Sequence, residues 1–509
     1  MSLNDVRIIK GEGGLGRTLP GQDHISGILF YTDTVPSGFS VDATKEVFSI
    51  QQAEALGIVG NYSDETQATG TFLVTNAGAA GNTIEIFIQE PVNNVSLGVY
   101  TRSAAATTAA LVAAGIAAQI NLGQYQHGYT ATVSSATVTI KARKGLGIFL
   151  NSGAPITKVV VGTIAGTITQ FSGGVASELA QFHYHVSEYF RINPEGDLWI
   201  SFATLTGNTF DFTELYNVQD TAKGKIRQFG VYLGNCGAAA ASDLLDYANS
   251  LQVVCNLLET QHTPASTVFC ADISGISDLS TLSTLADLDD KNVSITIGQD
   301  GANLGFEIFK ASGASIGNVG TILGAISLSA VNEDIGWVSK FNLSDGNEFS
   351  VPAFGNGVQV NIVTQDALLN QLNLYRYIFL RYFVGVTGTF VNDNHCAISP
   401  NSDYAYINDN RTIDKASREL YANIIPFLNG TIKLNSNGTL TDVTISYVEG
   451  LGNTALDPMV RAGEISGRRV SVSATQNVLA TSTLVITVSV LPDGVARNIT
   501  INLGYVTSL

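Results

Sequence analysis

The stretch "ASELAQFHYHVSEYFRINPEGDLWISF" (residues 176–202) decides the fold. It reads as a helix over 176–190 followed by an apolar run of strand length, "DLWISFAT". The same alternation continues through "RQFGVYLG", a helix over 242–260, "STVFCADI" and "NVSITIGQ". Helices alternating with buried strands predict an α/β core whose helices pack on a sheet. "SIGNVGTILGAISLSAVNEDIGWV" adds a further helix, rich in small residues.

Upstream, "VRIIKGEGGLGRTLPG" (6–21) carries the spacing G-x-G-x-x-G at Gly11, Gly13 and Gly16. Pro20 and Gly21 break any helix within its first turn, so the helix N-terminus that would hold a pyrophosphate is missing. Residues 1–22 read instead as an extended arm with a glycine loop. "GILFYTDT" (27–34) is a strand and "SIQQAEALGI" a short helix capped by Ser49. Residues 23–63 and 176–364 then form one α/β unit, split by an insertion.

That insertion, 64–175, has a different texture: Thr-rich strands ("ATGTFLVTN", "NTIEIFIQE", "SLGVYTR"), an Ala-rich helix, the hairpin "GYTATVSSATVTIKA" and "TKVVVGTIAGTITQFSGG". The helix is expected from Ala104 to Ile120, capped by Ser103, with Val112, Ile116 and Ile120 on one face. Residues 365–509 make a C-terminal α+β unit. "DALLNQLN" is a short helix, "LYRYIFLRYFVG" a strand, and "RTIDKASRELYANIIPFLNG" a strong helix with Ile413, Leu420 and Ile424 inward. Asp414 with Arg418, and Lys415 with Glu419, make i,i+4 pairs on its outside. "LTDVTISYVEG", "RRVSVSATQNVL", "STLVITVSVLP" and "ARNITINLGYV" read as closing strands, the last with no helix after it to cover its edge.

Charged residues make up only 14% of the 509, and 45% are apolar. A surface of neutral polar groups suits a subunit that touches other subunits. Of the net charge of −17, residues 176–364 hold −14. An acidic chain with no basic stripe argues against nucleic acid as the main partner. No apolar run reaches the roughly 18–20 residues needed to span a bilayer. "MSLNDVRIIKGEGG" has no signal-peptide core, so the expected site of synthesis and residence is a cytoplasm. Cys236, Cys255, Cys270 and Cys396 are too widely spaced for a zinc knuckle and are expected as free buried thiols.

Candidate chemistry is sparse. His183 and His185 stand two apart within a helical stretch, a poor spacing for a shared metal. "DLDDKN" (287–292) and the two "NDN" runs lack a calcium-loop register and read as turns and caps. His395 and Cys396 adjoin, but neighbours on an extended chain point opposite ways. Neither H-E-x-x-H nor a P-loop is present. The expectation is a protein with no catalytic activity, cofactor or metal.

Several stretches together resemble the tail sheath proteins of contractile bacteriophages and related contractile injection systems. They are "VNEDIGWV" (331–338), "LLNQLNLYRYIFLRYFVGVTGTFVND", "SDYAYINDNRTIDKASRELYANIIPFLNG" (402–430) and the closing strand after Arg497. The insertion is similar to a small domain that recurs in phage tail proteins. The resemblance implies a structural subunit of a virion tail or injection particle, stacked as hexameric rings in a helix around an inner tube. It implies contraction that drives the tube through a target envelope, and tube, baseplate and tail-terminator proteins as further partners.

It also implies that both chain ends pair with strands of neighbouring copies. The matching positions are Asp5, Val6, Arg7, Ile8, Ile9 and Lys10 in the arm, and Arg497, Asn498, Ile499, Thr500, Ile501, Asn502, Leu503, Gly504 and Tyr505 at the end. Gly11, Gly13, Gly14 and Gly16 would then be a hinge, because glycine tolerates large backbone changes. Lys415, Arg418, Arg468 and Arg469 are candidates to meet an acidic tube. The alternatives are a β-rich surface adhesin or another tail or baseplate protein.

Overall fold

Ile25–Tyr31 form β1, inside a six-stranded sheet, and are buried along their whole length. The computed structural model that shows this describes residues 22–344 and 348–505. The arm positions Asp5 to Lys10 and the hinge glycines therefore lie outside the described residues.

β2 (Thr44–Val47) and α1 (Ile50–Ala55) follow β1, with Ser49 accepting from the Gln52 N–H as the cap the sequence predicts. The insertion supplies β3 (Thr69–Asn76), β4 (Thr83–Gln89), β5 (Asn94–Thr101), α2 (Ala109–Leu122), α3 (Gln124–His127), β6 (Thr130–Ser134), β7 (Thr137–Lys141), β8 (Ile156–Val161) and β9 (Ala165–Ser172). The core resumes with α4 (Glu178–Ile192), β10 (Asp197–Ala203), α5 (Glu214–Thr221), β11 (Gln228–Ala238), α6 (Ala241–Thr260), β12 (Ser266–Asp272), β13 (Asp289–Asp290), β14 (Val293–Ile295), β15 (Gly298–Asp300), α7 (Leu304–Ser312), α8 (Val319–Leu328) and β16 (Pro352–Phe354). Last come α9 (Asp366–Leu374), β17 (Leu380–Phe383), β18 (Val386–Val391), β19 (Ala397–Ile398), α10 (Ile407–Ile424), α11 (Asp442–Ala462), β20 (Gly467–Ser471), α12 (Val478–Thr481) and β21 (Thr487–Leu491).

The main sheet runs β14-β12-β11-β1-β10-β2. It is parallel except for β2, which pairs antiparallel with β10. This is a doubly wound sheet, within the α/β class the alternation predicts. Alternate side chains of β1 explain why both faces need cover. Ile25, Leu29 and Tyr31 join one cluster with Leu215, Leu244 and Leu251 of α5 and α6. Ile28 and Phe30 join the other, with Phe182 and Val186 of α4 and Ile322 and Leu323 of α8. α8 lies close on α4 because Gly320 has no side chain; a Cβ there would stand 2.1 Å from the His185 carbonyl oxygen.

The insertion has its own cluster, in which α2 fills the space between a four-stranded sheet, β6-β7-β3-β9, and a three-stranded one, β5-β4-β8. Val112, Ile116 and Ile120 are buried there. The helix starts later than expected. Arg102 is still hydrogen-bonded to Asn82 and Gly81 at the sheet edge, so the chain turns first, and Thr108 rather than Ser103 caps the helix. The ends of the insertion meet as neighbours: Thr66 and Val175 exchange backbone hydrogen bonds at 3.2 and 2.9 Å.

Three further expectations are corrected. "LTDVTISYVEG" is the start of α11, not a strand. Thr444, Val448, Gly452, Ala455, Leu456 and Met459 are buried at helical spacing, and Thr441 caps them, so packing overrides the β-branched local preference. Residues 366–407, assigned to the C-terminal unit, place Leu372, Phe379, Ile378, Leu380 and Ile407 in the two core clusters, so the apolar packing boundary falls beyond residue 365. Finally, residues 496–505, the described part of "ARNITINLGYV", form no strand with any other described residue.

Asp64 caps α4 from the far side of the insertion: its Oδ2 accepts the N–H of Glu178 at 2.9 Å and of Leu179 at 3.1 Å. Replacing residues 67–174 by a short Gly-Ser linker is expected to leave the main sheet folded, measured by circular dichroism and a cooperative melt. Asp64→Ala in the same shortened chain lowers stability by about 0.5–2 kcal/mol, the usual loss for a helix cap.

Candidate functional site

Both chain ends are rooted on one helix, α10. Its spacing places Arg411, Lys415 and Arg418 on a single face, and that face points inward. Asp23, the second described residue of the chain, meets it. Its carboxylate takes Lys415 Nζ at 2.7 Å and Arg418 Nη2 at 3.0 Å, and its carbonyl accepts from Arg411 Nη2 at 3.1 Å. Gln228 Nε2 donates to the same carbonyl at 3.1 Å, while Arg227 Nη2 holds Gln22 at 2.6 Å. Ser327 Oγ donates to the His24 carbonyl at 2.7 Å. Lys415 also bonds Glu464 at 2.6 Å.

Burial alone would raise the Asp23 carboxyl; Lys415, Arg418 and Arg411 together hold it below its ordinary value. Burial lowers Arg411 to about 10 and Arg227 to about 9, still charged near neutrality. Asp414, on the same helix, is pushed up to about 7 by burial, against the pull of Arg418.

The other end is rooted one turn from the start of α10. Arg497 Nη2 donates to Asp334 at 3.0 Å and to Asn394 at 3.3 Å, and Nε donates to Asp393 at 3.1 Å. Its guanidinium carbon sits 3.4 Å from the centre of the Tyr406 ring. Asp493 is tied at the same place, accepting from Ser466 Oγ at 2.5 Å and Asn332 Nδ2 at 2.9 Å. The segment 329–334 bridges the two roots: Arg411 Nη1 donates to Ser329 Oγ at 2.7 Å, and Asp334 takes Arg497. Beyond Arg497 the chain leaves the body. Ile499, Ile501, Leu503 and Tyr505 are 79%, 81%, 95% and 109% exposed.

This geometry corrects the reading of α10. Ile413 is 37% exposed, and Lys415 and Arg418 pair with Asp23 and Glu464 rather than with Glu419 and Asp414. The buried charge cluster turns the helix so that its cations face in. Of the four cations offered for a tube, Arg468 donates to Asp457 and to the Asn453 carbonyl, and Arg469 is exposed with no ion pair among the described residues. Asp23, Asp334, Asp393, Arg411 and Tyr406 were not singled out from the sequence. Asp334, Asp393, Tyr406 and Arg411 do lie inside the stretches that carried the resemblance.

The remaining candidates are separate. His183 pairs with Glu54 at 3.0 Å, and His185 is buried against Tyr232. His395 meets Asn373 at 3.1 Å, while Cys396 contacts Asn410 and burial pushes its thiol up to about 12. The cysteines are free, with Cys236 only partly buried. Among the described residues no group of three or more His, Cys, Asp or Glu is placed to hold a metal ion, and no helix is long and apolar enough to cross a membrane. At the carboxyl ends of β1 and β11, where doubly wound sheets bind ligands, the polar groups satisfy one another: Asn235 donates to the Tyr31 carbonyl and the Tyr31 hydroxyl to Glu214.

The fold is thus a doubly wound α/β core carrying an inserted β-rich unit and a small C-terminal α+β unit. Residues 403–509, which include α10 and the exposed tail, match the family model described as DUF2586, C-terminal domain. No curated protein matches the chain. Among solved structures, the chain is similar to one in the "Cryo-EM structure of the anti-feeding prophage (AFP) baseplate, 6-fold symmetrised", at 14% identity and a TM-score of 0.42, covering 64% of this chain and 80% of that one. It is similar also to a chain of the same baseplate in the contracted state, at 15% identity and a TM-score of 0.44, covering 64% and 84%.

Burial, then Asp393, push the Asp334 carboxyl up to about 7, while the Gly336 N–H and Arg497 pull the other way. A group that binds its proton more tightly when folded favours the folded state in acid and loses that advantage as pH rises toward 7. Arg497→Ala removes the cation from two facing carboxylates. It is expected to lower stability by about 1–3 kcal/mol at pH 8 and by clearly less at pH 5, where a proton replaces the lost charge. Urea melts at the two pH values check this; equal losses would contradict it.

Proposed function

We propose that this chain is a structural subunit of a contractile tail sheath, polymerising helically around an inner tube and shortening to drive that tube through a target envelope. The observation that carries the reading is the tail beyond Arg497. Four large apolar side chains at every second position stand in solvent, on a segment with no strand partner among the described residues. Burying such side chains is worth about 1.5–3 kcal/mol each, so the segment favours a partner, and its period of two suits a strand.

The same chain offers a receptor. β20 and β21 form a two-stranded antiparallel sheet, and each has one edge without a strand partner among the described residues. Two strands alone are marginal, and added strands would strengthen them. A donor on one copy and an acceptor on the next make a heterologous contact, which propagates as an open helix unless it closes into a ring.

The roots explain how such a lattice could carry load. The tail is tied to the body by Arg497 and Asp493, and the arm by Asp23, so rotation of the body pulls directly on both connections. The sequence resemblance to tail sheath proteins supports the same reading; the two similar solved chains come from structures titled as the anti-feeding prophage baseplate, the second in its contracted state. The energy is stored at assembly behind a kinetic barrier, so the proposal includes no catalysis and no cofactor. The particle is a virion tail or an injection device, with tube, baseplate and terminator proteins as neighbours. Arg469 is the foremost candidate for the tube, since Lys415, Arg418 and Arg468 are already engaged.

Electron microscopy of the purified chain is expected to show long hollow tubes. The triple variant Ile499→Asp, Ile501→Asp, Leu503→Asp is expected to abolish them with an unchanged monomer melting temperature, because these side chains are largely exposed in the monomer. Solitary particles at high concentration, closed rings alone, or tubes formed by the variant would each overturn the reading.

A further inference from the structure

Beside the turn between β4 and β5 lies a polar hollow of about 470 Å³, within the range of small-ligand sites. Its floor is an ion pair. Arg143 Nε donates to Glu90 Oε1 at 2.7 Å and Nη2 donates to Oε2 at 2.9 Å. Glu90 is 3% exposed and accepts also from the Tyr129 hydroxyl at 2.8 Å. Gly128 ends α3 at φ +77°, and a Cβ there would stand 2.8 Å from Arg143 Cβ, so glycine lets α3 seat on this floor.

The charge pattern selects the ligand. Glu90 and Arg143 neutralise each other, and burial holds the neighbouring His127 below its ordinary pKa, neutral at pH 7. An ionic ligand gains little here, since its charge would compete with a pair already satisfied. The rim is different. The side-chain amides of Asn93, Gln124 and Gln126 line the hollow and make no hydrogen bond with another described residue. Each offers both donors and an acceptor. Tyr125 is 94% exposed beside them.

We propose that this hollow binds a neutral saccharide unit, with a C–H face of the sugar ring on Tyr125 and its hydroxyls shared among the three amides. A sugar hydroxyl donates and accepts at once, which matches an amide better than it matches a lone cation. A tyrosine ring supplies a broad apolar contact for little loss of side-chain freedom. The site lies wholly in the insertion and does not depend on how the chain ends pair.

Saturation-transfer NMR on the full chain tests this, with a panel of neutral disaccharides and N-acetylglucosamine oligomers beside uronic-acid oligosaccharides. At least one neutral sugar is expected to receive saturation, concentrated on one face of its ring. Tyr125→Ala is expected to weaken that binding at least tenfold while leaving the melting temperature unchanged, and Gln126→Ala is expected to weaken it less. Saturation of the acidic sugars only, of no sugar, or undiminished in Tyr125→Ala would overturn the proposal.

Discussion

Everything at the two ends of this chain depends on the inward-facing charges of α10 and the carboxylates that meet them. Removing a lysine and several arginines from full solvent is unfavourable unless each finds a partner of opposite sign or a carbonyl. Asp23 and Glu464 supply the charges, and the carbonyls of Asp23, Ser329 and Ala330 supply the remaining acceptors. The cluster therefore fixes where the chain enters the core. It also fixes the rotation of α10, since a helix turned to bury Ile413 would leave three cations facing outward and Asp23 without them.

The second root sits at the start of the same helix. Arg497 lies over Tyr406 and between Asp334 and Asp393, two carboxylates close enough that one raises the pKa of the other. Asn408, whose Oδ1 lies 3.5 Å from Arg497 Nη2, and Lys415, beside Asp23, are about 10 Å apart along the axis. Asp23 and Arg497 are thus held at neighbouring points on one rigid element.

Much of the core was legible because its signals are local. The alternation of 176–202 and the apolar runs that follow need no partner to be read, and the insertion announced itself through Thr-rich strands and a near-neutral charge. The errors share one cause. Val443, Ile445 and Tyr447 alternate as a strand would, yet the helix there is decided by Val448, Leu456 and Met459 further along. Lys415 and Arg418 look like solvated helix charges because their partner, Asp23, is almost 400 residues away in sequence. Long-range ion pairs leave no periodic trace, which is why the roots stayed invisible while the tail's alternation did not.

The central claim is that the tail becomes a strand only in company. Hydrogen–deuterium exchange of the amides of residues 498–505, compared between isolated monomer and assembled material, measures this directly. The account predicts rapid exchange in the monomer and strong protection once copies associate. Equal exchange in both states, or protection already complete in the monomer, would contradict it.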